Sequence, residues 1–157
     1  MTKQLILTLI ENGLQDLERT TQAVPDDKLN WKPLDNGRNV LDLLGEAAQT
    51  PLLVVHLLQS PQTFNPYELF PKLTQERAGW TREETFEKLR ANTQAALEAI
   101  RALPDEELEK PFTLPIGAAG DMTLPLAAWV LMAYRTFVSR FAQINYIQTL
   151  YGDFEFH

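Results

Sequence analysis

Arg140 is the residue whose surroundings point most directly to chemistry. It falls between Phe137 and Ile144 on the stripe Val130, Ala133, Phe137, Arg140, Ile144, Ile147 and Tyr151, which recurs at three- and four-residue steps. A guanidinium on an apolar stripe needs an anionic partner or an opening to water. Its stem can lie along the edge of a helical assembly with the head in solvent, which is a packing role. With a partner, it holds an acidic side chain or an anionic ligand.

Other candidates are few. His56 and His157 are the only histidines, and there is no cysteine. Disulfides, iron–sulfur clusters, thiolate zinc sites and a cysteine nucleophile are therefore excluded, and one chain cannot offer three imidazoles to a metal. His56 reads as a partly buried residue satisfied by a hydrogen bond near a loop. Asp153, Glu155 and His157 alternate in a loose acidic tail. No serine–histidine–acid spacing and no glycine-rich phosphate loop is present. Trp129, Tyr134 and Phe137, with Trp31, Trp80 and Tyr146, are numerous enough to line an apolar pocket, with Gln143 and Asn145 as polar contacts. The same side chains equally suit a packed core.

The chain that must position these groups has 157 residues, which suits a single domain spanning 1–157. It is 45% hydrophobic and 22% charged, the range of a protein able to bury a core. Fourteen basic residues face twenty-one acidic ones for a formal charge of −7, which disfavours binding to nucleic acid. The opening apolar run from Leu5 to Ile10 is brief and stops at Glu11. The uncharged stretch from Ala47 to Tyr67 is broken by Pro51, Pro61 and Pro66. Neither reads as a leader or a membrane span, and a cytoplasmic location is expected.

Helical periodicity dominates. Ile6, Ile10, Leu14, Leu17 and Thr21 predict a helix from about Lys3 to Ala23, ended by Pro25. Asn36-Gly37 marks a turn and Asn39 caps a second helix, from Val40 to about Leu58, apolar over much of its circumference and kinked at Pro51. Ser60 to Trp80, with Pro61, Pro66 and Pro71, reads as a long ordered loop with at most a short helical turn. Thr81 and Glu84 form a capping box before a third helix carrying Phe86, Leu89, Thr93, Ala96, Ile100 and Leu103, which Pro104 stops. A connection through Pro111, Pro115, Gly117 and Gly120 leads to a fourth helix, from Asp121 or Thr123 to about Tyr151, closed by Gly152. No strand pattern is evident. The expected fold is all-α, a four-helix bundle with long connections after helices 1, 2 and 3.

Asp27-Lys28-Leu29-Asn30-Trp31-Lys32-Pro33, followed by Gly37-Arg38-Asn39-Val40-Leu41-Asp42-Leu43-Leu44-Gly45-Glu46, resembles the front half of the DinB-like family. So do the turn Leu103-Pro104-Asp105-Glu106-Glu107-Leu108 and the segment Arg140-Phe141-Ala142-Gln143-Ile144 with Tyr151-Gly152 after it, so the resemblance covers nearly the whole chain. It implies a four-helix bundle, often dimeric. Many members hold a divalent metal through three histidines, and relatives include transferases and isomerases that use bacillithiol or mycothiol. The family's three histidine positions fall on Glu46, Thr136 and Arg140 in this chain, and none is histidine. Glu46 could still bind a metal, but threonine is a poor ligand and arginine puts a positive charge where the ion would lie.

The substitution suggests an ion pair between Glu46 and Arg140 across the second and fourth helices. Periodicity, however, sets Glu46 with Asp42 and Gln49 on a polar edge. The resemblance thus implies a member without metal or cofactor, acting as a small-molecule-binding or structural module and forming a homodimer through its most apolar helices. Two enzymatic alternatives stand beside it. One is a metal- or thiol-dependent transferase or isomerase with a rewired site. The other is a metal-free enzyme in which Arg140 holds an anionic substrate and Glu46 is acid or base.

Overall fold

Thr2 opens the first helix of the computed structural model, which describes residues 2–157, by accepting the Leu5 amide on its hydroxyl at 3.3 Å. Helix α1 (Lys3–Gln22) buries Ile6, Ile10 and Leu17 on one side. Asn39 caps α2 (Val40–Gln59) through a 2.8 Å bond from the Asp42 amide. Thr81 and Glu84 form the expected reciprocal box at the start of α4 (Arg82–Ala102). The last long helix, α7, spans Met132–Leu150. Helices α4 and α7 each pack against both α1 and α2, so α1 and α2 face one another across a diagonal. The enclosed core contains Ile6, Ile10, Leu17, Leu44, Leu89, Ile100, Phe137 and Ile144, all fully buried. Each such side chain contributes roughly 1.5–3 kcal/mol of transfer free energy.

The four-helix architecture with long connections after the first three bundle helices is as expected; the contents of the second and third connections are not. Between Ser60 and Trp80 lies a 12-residue helix, α3 (Pro66–Arg77), rather than a loop. Asn65 caps it and Pro66 occupies its first turn, where a missing amide hydrogen costs nothing. The segment after the short helix α5 (Asp105–Glu109) forms an antiparallel hairpin where no strand was expected. Strand β1 (Pro111–Pro115) pairs with β2 (Asp121–Pro125), with Phe112 opposite Leu124 and Leu114 opposite Met122. Its prolines stand at the strand ends, where a two-stranded ribbon tolerates an absent donor. The fourth bundle helix consequently starts later than expected. A short helix α6 (Leu126–Val130) follows the hairpin, and a turn at Leu131 separates it from α7.

Helix α2 is the element best able to span a bilayer by length and composition among the described residues, yet 67% of its most apolar window is buried within the bundle. Pro51 lies inside it and does not end it. Pro51 leaves the Ala47 carbonyl without its helical donor, and next to it Asn92 of α4 donates to the Ala48 carbonyl at 2.8 Å. A second apolar cluster, Leu53, Leu57, Phe64, Leu114 and Trp129, fastens the hairpin and α3 onto the bundle.

Candidate functional site

Glu46 and Arg140 meet across α2 and α7. The η-nitrogen Nη2 of Arg140 donates to Oε1 of Glu46, while Nη1 donates to Oε1 of Gln143 at 2.6 Å. The other Glu46 oxygen, Oε2, takes Nη1 of Arg38 at 2.5 Å. Arg38 also reaches Oδ2 of Asp42 at 2.5 Å, and the second Asp42 oxygen accepts from Nε of Arg77 at 3.0 Å. Arg77 continues to the Gln49 side chain at 3.1 Å, and Gln49 in turn donates to the Leu73 carbonyl at 2.8 Å. One run of charge-assisted bonds therefore joins the loop before α2, α2 itself, α3 and α7.

The charges respond to this arrangement. Burial opposes ionisation of Glu46, but hydrogen bonds from Arg140 and Arg38, reinforced by their charges, outweigh it and hold the carboxyl below its ordinary 4.5. Asp42 behaves in the same way: burial raises it, and the bonds from Arg38 and Arg77 bring it below 3.8. Both groups are carboxylates at neutral pH.

A cavity of about 280 Å³ opens beside the pair, between α2, α3 and α7. Glu46, Thr50 and Leu53 line it from α2, Phe70, Leu73 and Arg77 from α3, and Met132 and Thr136 from α7. Met132 and Thr136 also border an adjoining hollow of about 230 Å³ that contains Arg135, Ser139 and Arg140. Thr136, one turn before Arg140, thus stands at the junction of the two spaces.

The aromatic residues considered for a pocket lie elsewhere. Trp129 is buried in the second apolar cluster and donates its indole N–H to the Phe112 carbonyl at 2.8 Å. Tyr134 and Phe137 face α1, close enough that a β-carbon on Gly13 would stand 3.1 and 3.3 Å from them. Trp31 meets the Tyr151 ring edge-on at 6.2 Å, Trp80 lies under the Lys88 ammonium, and Tyr146 is exposed. Asn145 accepts from the Thr20 hydroxyl at 2.7 Å, so its polar contact joins α7 to α1. His56 is exposed on the last turn of α2 rather than partly buried, because that turn presents its outer side to solvent. His157 folds back onto Asp153 at 2.9 Å, giving the acidic tail a local closure.

Arg38 and Arg77 are the members of the network that residue reading missed. Arg38 stands four residues before Asp42, a spacing that pairs opposite charges at a helix start. Arg77 gave no comparable sign, since it belongs to a helix read as loop.

Comparisons with known proteins can be set beside this geometry. No curated protein matches the sequence. A protein of Streptococcus pneumoniae has a similar structure, with a TM-score of 0.75 at 16% identity over 95% of this chain and 91% of the other. The mycothiol-dependent maleylpyruvate isomerase superposes with a TM-score of 0.72 at 14% identity, over 92% of this chain but 61% of the isomerase. YfiT from Bacillus subtilis, described as a probable metal-dependent hydrolase with an unusual four-helix bundle topology, also gives 0.72 at 14% identity, over 96% of this chain and 87% of YfiT. At these identities the likeness is one of fold. The sequence itself matches the family model of the DinB superfamily over residues 9–134, and the chain belongs to that superfamily.

Proposed function

We propose that this chain is a metal-independent member of the DinB superfamily that binds a small molecule in the cavity between α2, α3 and α7. The observation that carries the reading is the state of Glu46: Arg140 holds one carboxylate oxygen and Arg38 the other. A divalent cation does not fit this donor set. Arginine cannot be deprotonated to serve as a ligand, and two guanidinium groups already neutralise the carboxylate that would receive the metal. Threonine at 136 adds no adequate donor.

The same pairing weighs against a transferase or isomerase rewired around Glu46 and Arg140. A carboxylate held below its ordinary pKa between two arginines is a weak general base at neutral pH. The cavity, by contrast, mixes apolar walls with polar groups, as small-molecule sites do, and at about 280 Å³ falls just below their usual range of about 300–1,000 Å³.

The test is the zinc and nickel content of untagged protein after exposure to each metal and gel filtration. Far less than one metal per chain is expected, with thermal stability unchanged by chelator. Stoichiometric metal that disappears in Glu46→Ala overturns the reading. Self-association into a homodimer is part of the same proposal. It is supported by exposed apolar area at the end of α7 and beyond, on Tyr146, Leu150, Phe154 and Phe156.

A further inference from the structure

Seven of the eight arginines, Arg19, Arg38, Arg77, Arg82, Arg90, Arg101 and Arg140, hold an acidic side chain. Arg135 holds none among the described residues, although the chain has twenty-one acidic residues to choose from. It borders the hollow beside the cavity with Thr136, Ser139 and Arg140, and no carboxylate lines that hollow. Positions 132, 135, 136, 139 and 140 share one face of α7 by the helical repeat, so two guanidinium groups and two hydroxyls converge on one space.

We propose that this hollow is an anion subsite that receives the carboxylate or phosphate head of an amphipathic small molecule, whose apolar part lies in the adjoining cavity against Leu53, Phe70 and Leu73. The inference rests on the binding function proposed above and names its ligand class. Three observations support it. The two spaces adjoin at Met132 and Thr136, which line both, so a molecule reaching past Thr136 would touch each. Four guanidinium groups, Arg38, Arg77, Arg135 and Arg140, stand against two carboxylates, Asp42 and Glu46, leaving local positive charge in a chain whose total is −7. Planar guanidinium forks with neighbouring hydroxyls match the geometry of an oxyanion, whereas a cation would find no acceptor charge in the hollow.

The experiment is titration calorimetry with phenyl phosphate, phenylacetate, inorganic phosphate and benzyl alcohol, applied to the wild type, Arg135→Gln, Phe70→Ala and Arg19→Gln. Arg135 and Phe70 are exposed, so both variants should fold, and circular dichroism checks this. The aromatic anions should bind about tenfold more tightly than inorganic phosphate or benzyl alcohol, and the better of the two anions identifies the head group. Arg135→Gln should weaken both by about tenfold and leave benzyl alcohol unchanged, since one charge-assisted bond carries the difference. Phe70→Ala should weaken all three aromatic probes, and Arg19→Gln none. Wild-type affinity for the anions in Arg135→Gln overturns the subsite. So does equal binding of benzyl alcohol, which would leave the cavity as a neutral apolar site. Absence of binding by every probe overturns it as well, whereas the metal-free reading stands or falls separately on metal content.

Discussion

A β-carbon on Gly45 would stand 2.9 Å from Cδ of Arg77. The bare backbone of α2 at this point is what lets the arginine of α3 lie across it and reach Asp42 and Gln49. Gly45→Ala would normally stabilise a helix interior by up to about 1 kcal/mol. Here the gain should be cancelled or reversed, because Arg77 must move and its bond to Asp42 is strained or lost. Urea denaturation checks this, and a full gain of about 1 kcal/mol would mean that Arg77 is free to step aside.

Acid should unfold the protein partly through the same network. Glu46 and Asp42 have folded-state pKa values below their unfolded ones of 4.5 and 3.8. Their contribution is therefore complete above those unfolded values and is lost as pH falls toward the lower folded ones. Urea midpoints should be flat from neutrality to about pH 5.5 and then decline. Glu46→Gln should lose less stability over the acid limb than the wild type does. Parallel limbs in the two proteins would remove Glu46 from the explanation.

Converting the three positions to imidazoles offers a direct probe of their placement. The variant Glu46→His, Thr136→His, Arg140→His should take up about one zinc or nickel ion per chain, since three imidazoles with an open position suffice for tetrahedral binding. Elemental analysis after gel filtration reads the outcome. No metal uptake by a folded triple variant would mean that the positions do not converge as a ligand set.

Asn92 should matter more than an amide on a helix surface usually does. Its bond to the Ala48 carbonyl ties α4 to α2 one residue from Ala47, whose carbonyl Pro51 leaves without a helical donor. Asn92→Ala should cost about 1–2 kcal/mol, with faster hydrogen exchange confined to the amides around Ala48 and Thr50. A cost below a few tenths of a kcal/mol would show that the carbonyl is served otherwise.

Sedimentation equilibrium should find a dimer at micromolar concentration, shifted toward monomer by Tyr146→Glu or Phe156→Glu. A wild-type chain that stays monomeric as concentration rises removes the proposed self-association.

How much of this was legible in the residues follows from how local the signals are. The stripe on α1, the Asn39 cap and the Thr81–Glu84 box are written within one or two turns, and each element starts where those residues place it. Helix α3 was hidden because three prolines over Pro61–Pro71 resemble loop composition, although Asn65-Pro66 is a competent helix start. The hairpin was hidden by its prolines too, and its stability comes from Leu114 and Phe112 packing beside Trp129, a contact between distant segments. The meeting of Glu46 with Arg140 spans 94 positions and was reached through the family resemblance, not through spacing. Arg77 entered the site only once α3 existed as a helix.

The diagonal placement of α1 and α2 also bears on the order in which the protein can be made. Neither of the first two long helices covers the other; both wait for α4 and α7. The partner of Glu46 and the surface that closes over Gly13 are both carried by α7, which follows α1, α2 and α4 in the chain. A nascent chain that stops before Met132 therefore exposes the sides of α1 and α2 that α7 covers, while α4 can already pack on both. The bundle is therefore complete only once α7 has been made, and before then α4 alone can join α1 to α2.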